Sequence, residues 1–264
     1  MLKNIYVKSL FERRIGVLCW SIGIFLLIFG VGLMFPSMRD LFGKDMAQIQ
    51  KEFQGWFGET TNIMTTFSGY MATELVGNIG IMLVIMAILY GITFIAGDEE
   101  KNVLQSLLTL PVSRTQVYFQ KYFALTTINI LAIIVWAIAV LAVALTLNEP
   151  LKFSVLFKII VMFFLTNMTL STFAYSLSAI SGKRSVGGIV TGCYAFLAYF
   201  VNALSAQSDI VAKINYLSIF KYADYISLVN RAIDLNNVVL MLSLIVLFVI
   251  SGLLIFTRRD IQLN

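Results

Sequence analysis

The sequence predicts an all-α membrane protein with six transmembrane helices. Three observations carry that prediction. Of the 264 residues, 59% are hydrophobic and 12% are charged, the latter about half the usual share of a soluble domain. The mean hydropathy is +0.88. Six stretches without a single charged residue, 15–35, 75–96, 122–147, 159–180, 186–204 and 238–257, are long enough to cross a hydrocarbon core of about 30 Å as helices. No stretch alternates with the two-residue period of a membrane barrel. The composition excludes a soluble enzyme, a disordered chain and a disulfide scaffold. No repeat or Pro/Gly/Ser-rich linker divides the chain, so residues 1–264 read as one membrane domain.

The first apolar stretch follows Lys3, Lys8, Arg13 and Arg14. It is longer than the apolar region of a signal peptide, and no A-x-A-like site follows it. It therefore reads as an uncleaved first span. Orientation follows from Lys and Arg. With the N-terminus in the cytoplasm, the inside segments hold 11 basic and 5 acidic residues, and the outside segments hold 8 and 9. Both termini are then cytoplasmic, and the high pI needs no nucleic-acid partner to explain it.

The segments between the spans are patterned. In residues 2–14, Leu2, Ile5, Tyr6 and Leu10 recur at helical spacing. They predict an N-terminal interfacial helix, with a simple positive flank as the alternative. In the first outside loop, Met38, Leu41, Phe42, Met46, Ile49, Phe53, Trp56 and Phe57 form one apolar helical face. They predict an external amphipathic helix between spans one and two, with Ser37 at its N-cap. The last outside segment, 205–237, predicts a partly re-entrant helix pair in which Leu217, Phe220, Tyr225 and Leu228 dip toward the bilayer.

The inside loop 97–121 carries the most information. Asp98, Glu99 and Glu100 place negative charge at a helix start. Val103, Leu104, Leu107, Leu108 and Leu110 form an apolar stripe, and Pro111 stops the helix. Ser113 and Gln116 have capping-box spacing for the next one. Leucines exposed on a cytoplasmic helix suit a protein partner.

Chemistry-bearing residues are few. With no histidine, most zinc and haem sites and the histidine-based triads are excluded. Cys19 and Cys193 fall in apolar stretches and read as buried small hydrophobes. Glu74 and Asn78 sit four apart at the outer end of the second span. They are candidates for substrate contact or structural anchoring. Gly188 and Gly192 have the GxxxG spacing that permits close helix approach or a subunit interface. No charged residue lies inside a predicted span, which argues against an ion-driven pump.

The inside loop resembles that of the type 2 permeases of ATP-binding-cassette exporters. The resemblance runs through Glu99-Glu100-Lys101, Leu107-Leu108, Leu110-Pro111-Val112-Ser113-Arg114 and Lys121. Asn102 and Val103 stand where that family often has Gly-Thr. Leu217-Ser218-Ile219-Phe220 resembles the family's L-[ST]-P-F pattern, with isoleucine in place of proline. Phe256-Thr257-Arg258-Arg259-Asp260 resembles its F-x-x-R-D ending.

The resemblance implies a coupling helix between spans two and three and a permease at the plasma membrane. It also implies a second permease copy or paralogue and two cytoplasmic ATPase subunits as partners. Glu99, Glu100, Leu104, Leu107, Leu108 and Arg114 are then expected to contact the ATPase. Spans two and five of two protomers are expected to line the path, with Glu74, Asn78, Gly188 and Gly192 along it. The chain has no G-x-x-x-x-G-K-[ST] loop; Ser181-Gly182-Lys183-Arg184 lacks the first glycine. ATP and Mg are therefore expected in the partner, with no cofactor on this chain. A non-transporting membrane interaction protein, such as an immunity or assembly factor, is the competing class.

Overall fold

The computed structural model describes residues 4–44, 65–108 and 111–259. Six helices in it are long and apolar enough to cross a membrane. They run Ile5–Gly32, Phe67–Thr93, Arg114–Leu147, Phe153–Ser181, Arg184–Leu204 and Leu235–Arg258, and are called the first to sixth spans below. No strand occurs among the described residues.

The helices outrun their uncharged stretches. The third has 34 residues, about 51 Å at 1.5 Å per residue, so it extends well beyond a 30 Å core. Its start is fixed by Ser113, whose side chain accepts from the Gln116 N–H at 3.1 Å, as the capping spacing predicts. Its end is fixed by Asn148 in the left-handed conformation, which asparagine tolerates better than most residues.

The fourth span is the centre of the bundle. Its most apolar window is 61% buried, against 11% for the sixth span. It packs against the second, third, fifth and sixth spans, and the first span packs on the third. Trp136 on the third span is fully buried. Its indole N–H donates to the Leu75 carbonyl at 3.1 Å and its ring meets Phe163 edge-on. Asn129 reaches across to Ser171. Between apolar helices, such polar contacts supply the specificity that lipid-like packing lacks.

Several sequence expectations change here. The N-terminal interfacial helix is not a separate element: residues from Ile5 onward are the first turns of one uninterrupted helix. Tyr6 explains why. Its backbone N–H reaches Gln120 Oε1 at 3.2 Å and its hydroxyl meets Thr127 at 2.9 Å, while Ile5 and Ser9 are buried. Of the face predicted to lie on the membrane, Ile5, Tyr6 and Leu10 pack on the bundle instead, and Leu2 lies outside the described residues.

The helix after the first span starts at Phe35, before the predicted cap Ser37, and is described to Lys44. Phe35 is fully buried against Phe67 and Tyr70, which anchors that start. Met46, Ile49, Phe53, Trp56 and Phe57 lie outside the described residues. Cys19 and Cys193 are exposed, not buried. Their apolar neighbours face out of the bundle, where lipid would cover them.

Residues 205–237 fold back on the bundle. Asp209–Ile214 and Ile219–Ala223 are short helices joined by the 3₁₀ turn Asn215–Leu217. Phe220, Tyr225 and Leu228, expected to dip toward the bilayer, are buried against the bundle, and Leu217 is 77% exposed. Ser218, which replaces a turn-forming role beside Ile219, accepts from the Phe220 N–H and donates to Ala198 O at 2.8 Å. Tyr225 donates to Thr166, deep in the fourth span, at 3.1 Å.

Candidate functional site

At one end of the bundle charged residues meet by terminating helices. A helix ends with unpaired carbonyls and begins with unpaired N–H groups, and the aligned dipoles make the first negative and the second positive. The second span ends at Thr93 and is followed by the short helices Ala96–Glu100 and Val103–Leu108. Asn102, at φ 60°, makes the turn between these two.

Two cations from other spans cap the end of the second span. Arg13 donates to Thr93 O at 3.1 Å, and Lys121 donates to Phe94 O at 2.7 Å. Asp98 pairs with both: Arg13 Nη2 lies 3.0 Å from Oδ1, and Lys121 Nζ binds Oδ2. The Lys121 side chain is fully buried and that of Asp98 is 10% exposed. This triad joins the first, second and third spans.

The two glutamates continue the pattern. Glu100 accepts from the backbone N–H of Arg184, the first residue of the fifth span, at 2.9 Å, and from its guanidinium at 2.5 Å. It thus caps that helix from outside with a carboxylate. Partial burial pushes the Glu100 carboxyl up, but the hydrogen bonds and charge of Arg184 outweigh it and hold the group below the usual carboxylate range. Glu99 pairs with Arg259, just past the sixth span, at 2.5 Å. Arg114 donates to Thr257 O at 3.3 Å and Arg259 O at 2.5 Å, closing the sixth span's carbonyl end. Gly182, at φ 70°, turns the chain between the fourth and fifth spans where an added Cβ would collide with the Arg259 guanidinium. A recess of about 430 Å³ beside this network is lined by Glu12, Arg13, Asp98, Lys101 and Arg184 among others.

Of the six residues expected to face a partner, Leu104 and Leu107 are turned inward. They are 0% and 6% exposed and belong to the core. The apolar stripe therefore fastens the helix to the bundle, because its leucines gain more contact there than at a water-facing surface. Leu108 closes the helix, but its side chain lies outside the described residues, as do 109 and 110. Glu99, Glu100 and Arg114 hold their own chain as just described. Exposed residues here include Glu100, Lys101, Asn102, Pro111 and Ser113.

The sequence reading missed Asp98 and Lys121 as a buried pair. Lys121 is adjacent to the predicted third span, and its position at a span boundary was the available signal.

At the opposite end, Glu74 and Asn78 lie in a π-helical segment, Met71–Asn78, of the second span. Asn78 donates to Glu74 at 3.1 Å and accepts from the Tyr199 hydroxyl of the fifth span at 3.0 Å. The widened turn leaves extra carbonyls, and the Trp136 bond to Leu75 O satisfies one of them. Gly188 faces Ile92 of the second span, whereas Gly192 has nothing within 4 Å of a would-be Cβ. The close approach within the chain uses Gly187 instead, against Ala174 O and Ser178. The GxxxG pair is thus split, with one glycine packed on the second span and one left open.

Comparison with protein-family models matches residues 4–261 to the ABC-2 family transporter protein model. A search of the curated proteins finds no match.

Proposed function

The chain belongs to the ABC-2 transporter family, and on that premise we propose that it is the permease subunit of an exporter driven by a separate cytoplasmic ATPase. The family makes it a multi-pass membrane component of an ATP-binding-cassette transporter. The unit Ala96–Leu108 is the coupling element, and the end of the bundle that holds it, Arg13 and Arg259 faces the cytoplasm of a plasma-membrane protein. ATP and Mg belong to the partner subunits, two per pair of permeases.

The single observation that carries this reading is the network around Asp98, Glu99 and Glu100. Three consecutive carboxylates tie one short element to the ends of the first, third, fifth and sixth spans. A push on Ala96–Leu108 is then delivered to most of the bundle as a rigid body, because the buried Asp98–Lys121 pair and the packed Leu104 and Leu107 resist local yielding. The ATPase contact is the exposed edge at Lys101 and Asn102, supported from behind by the leucines. This moves the docking surface away from the apolar stripe itself.

The path in this reading lies between two copies, along the second and fifth spans. The Glu74–Asn78–Tyr199 chain joins those two spans at the outer end, and the open flank of Gly192 leaves room for a second protomer. The test is ATP hydrolysis by the co-purified complex in nanodiscs. Replacing Lys101 by Glu lowers ATPase capture at least tenfold while the permease stays folded. Capture unaffected by that change overturns the docking assignment.

A further inference from the structure

We infer that the cavity beneath the returning segment 215–222 binds one acyl chain of a glycerophospholipid, with the phosphodiester at Lys221. The cavity, about 320 Å³, lies where the fifth and sixth spans diverge from the fourth. Phe173 forms its back, Tyr194 one side and Leu244 with Phe248 the other, with Leu217 and Ile219 as its roof.

Three of its polar side chains are hydrogen-bonded within the chain. The Tyr194 hydroxyl donates to Leu217 O at 2.9 Å, that of Tyr222 to Tyr216 O at 2.8 Å, and Thr169 to Leu165 O at 2.8 Å. Water in such a space needs two or more polar partners, and apolar cavities of this kind stay dry and take hydrocarbon. The volume corresponds to roughly ten water molecules at about 30 Å³ each, too large to leave empty at ordinary packing density.

The identity of the hydrocarbon follows from what lies outside. The cavity is open at the edge formed by Tyr216 and Leu217, which are 63% and 77% exposed. Next to it the sixth span presents Leu247 and Ile250, both at least half exposed, as a membrane-facing surface does. At the same rim Lys221 Nζ lies over the Tyr216 ring, 2.8 Å from its centroid. Lys221 has no carboxylate partner among the described residues, and the neighbouring Asp224 is turned to Ser227. A cation beside tyrosines at a membrane boundary is the complement of a lipid phosphate. Apolar cleft and cation together fit a phospholipid, its chain inside and its phosphate at the lysine.

The experiment uses the full chain in phosphatidylcholine nanodiscs with a small fraction of phosphatidylglycerol carrying a diazirine near the end of one chain. After irradiation, labelled residues are located by mass spectrometry. The expected labels are on Phe173 and Phe248. Leu244→Trp, which fills the cavity, lowers Phe173 labelling at least fivefold, and Leu247→Trp on the outward face of the same helix does not. Leu240→Phe is the second filling variant should Leu244→Trp fail to fold. Lys221→Gln lowers labelling by the phosphatidylglycerol probe at least threefold but leaves a diacylglycerol probe with the same chain unchanged. Labels confined to Leu247 and Ile250, or Phe173 labelling indifferent to the filling variant, would overturn the site. Equal loss of both probes in Lys221→Gln would overturn the headgroup contact.

Discussion

Asp98→Asn removes one charge from a pair whose other member is buried completely. Lys121 then keeps the Phe94 carbonyl at 2.7 Å but loses its paired carboxylate: Arg13, bound to the same carboxylate, is itself a cation, and Glu12 acts on the ammonium without pairing with it. Breaking a buried pair from one side costs about 3–5 kcal/mol, since the remaining charge stays desolvated. For a chain of this size each kcal/mol lowers Tm by roughly 2–4 °C, so a fall of about 6–20 °C is expected. Lys121→Met costs less, because Asp98 retains Arg13 at 3.0 Å. The double variant Asp98→Asn/Lys121→Met leaves neither a buried ammonium nor a carboxylate and lies above Asp98→Asn alone in stability. The assay is thermal unfolding in detergent followed by tryptophan fluorescence, with the fully buried Trp136 as reporter. Losses that simply add in the double variant would refute the reasoning, because uncoupled residues are what additivity reports.

Three further outcomes follow from the same structure. Gly182→Ala places a side chain at φ 70° and against Arg259. It is expected to cost more than about 1 kcal/mol and to weaken the Glu99–Arg259 contact, read as a lower Tm that Glu99→Gln does not lower further. The Glu100 carboxyl is held low by Arg184, so its contribution is fully present above the ordinary carboxylate pKa and is lost as pH falls through the lowered one. The stability difference between the native chain and Glu100→Gln should therefore be constant near neutrality and vanish in acid; a difference that grows as pH falls contradicts the assignment. Tyr225→Phe removes the donor to the fully buried Thr166 and is expected to cost about 1–2 kcal/mol, with faster hydrogen exchange confined to residues 215–229.

The spans were legible because a bilayer demands long uncharged stretches, and each of the six predicted stretches lies largely within a candidate span. Ser113 was legible as a cap because capping is local. What the sequence hid was direction and partnership. Leu104 and Leu107 form a stripe at helical spacing, but spacing does not say whether water, a partner or the bundle lies opposite. Only the fold brings the core to them. Asp98, Arg13 and Lys121 lie 85 and 23 residues apart in sequence, and nothing local announces that they meet. The cysteines misled for a different reason. Apolar context means burial in a soluble protein, but in a membrane it is equally the signature of a lipid-facing surface. Tyr6 turned a predicted surface helix into the start of the first span through two bonds to the third, again a non-local contact.

The central claim is that Ala96–Leu108 receives the ATPase at its exposed edge. The most direct measurement places the photocrosslinking amino acid p-benzoylphenylalanine at Lys101 in the full chain, co-expressed with its ATPase, and locates the crosslinked product. Position 217, at the opposite end and 77% exposed, serves as the control. The account predicts an ATPase adduct from position 101 and none from 217. No adduct from 101 in a chain that still captures the ATPase, or an adduct from 217, would contradict it.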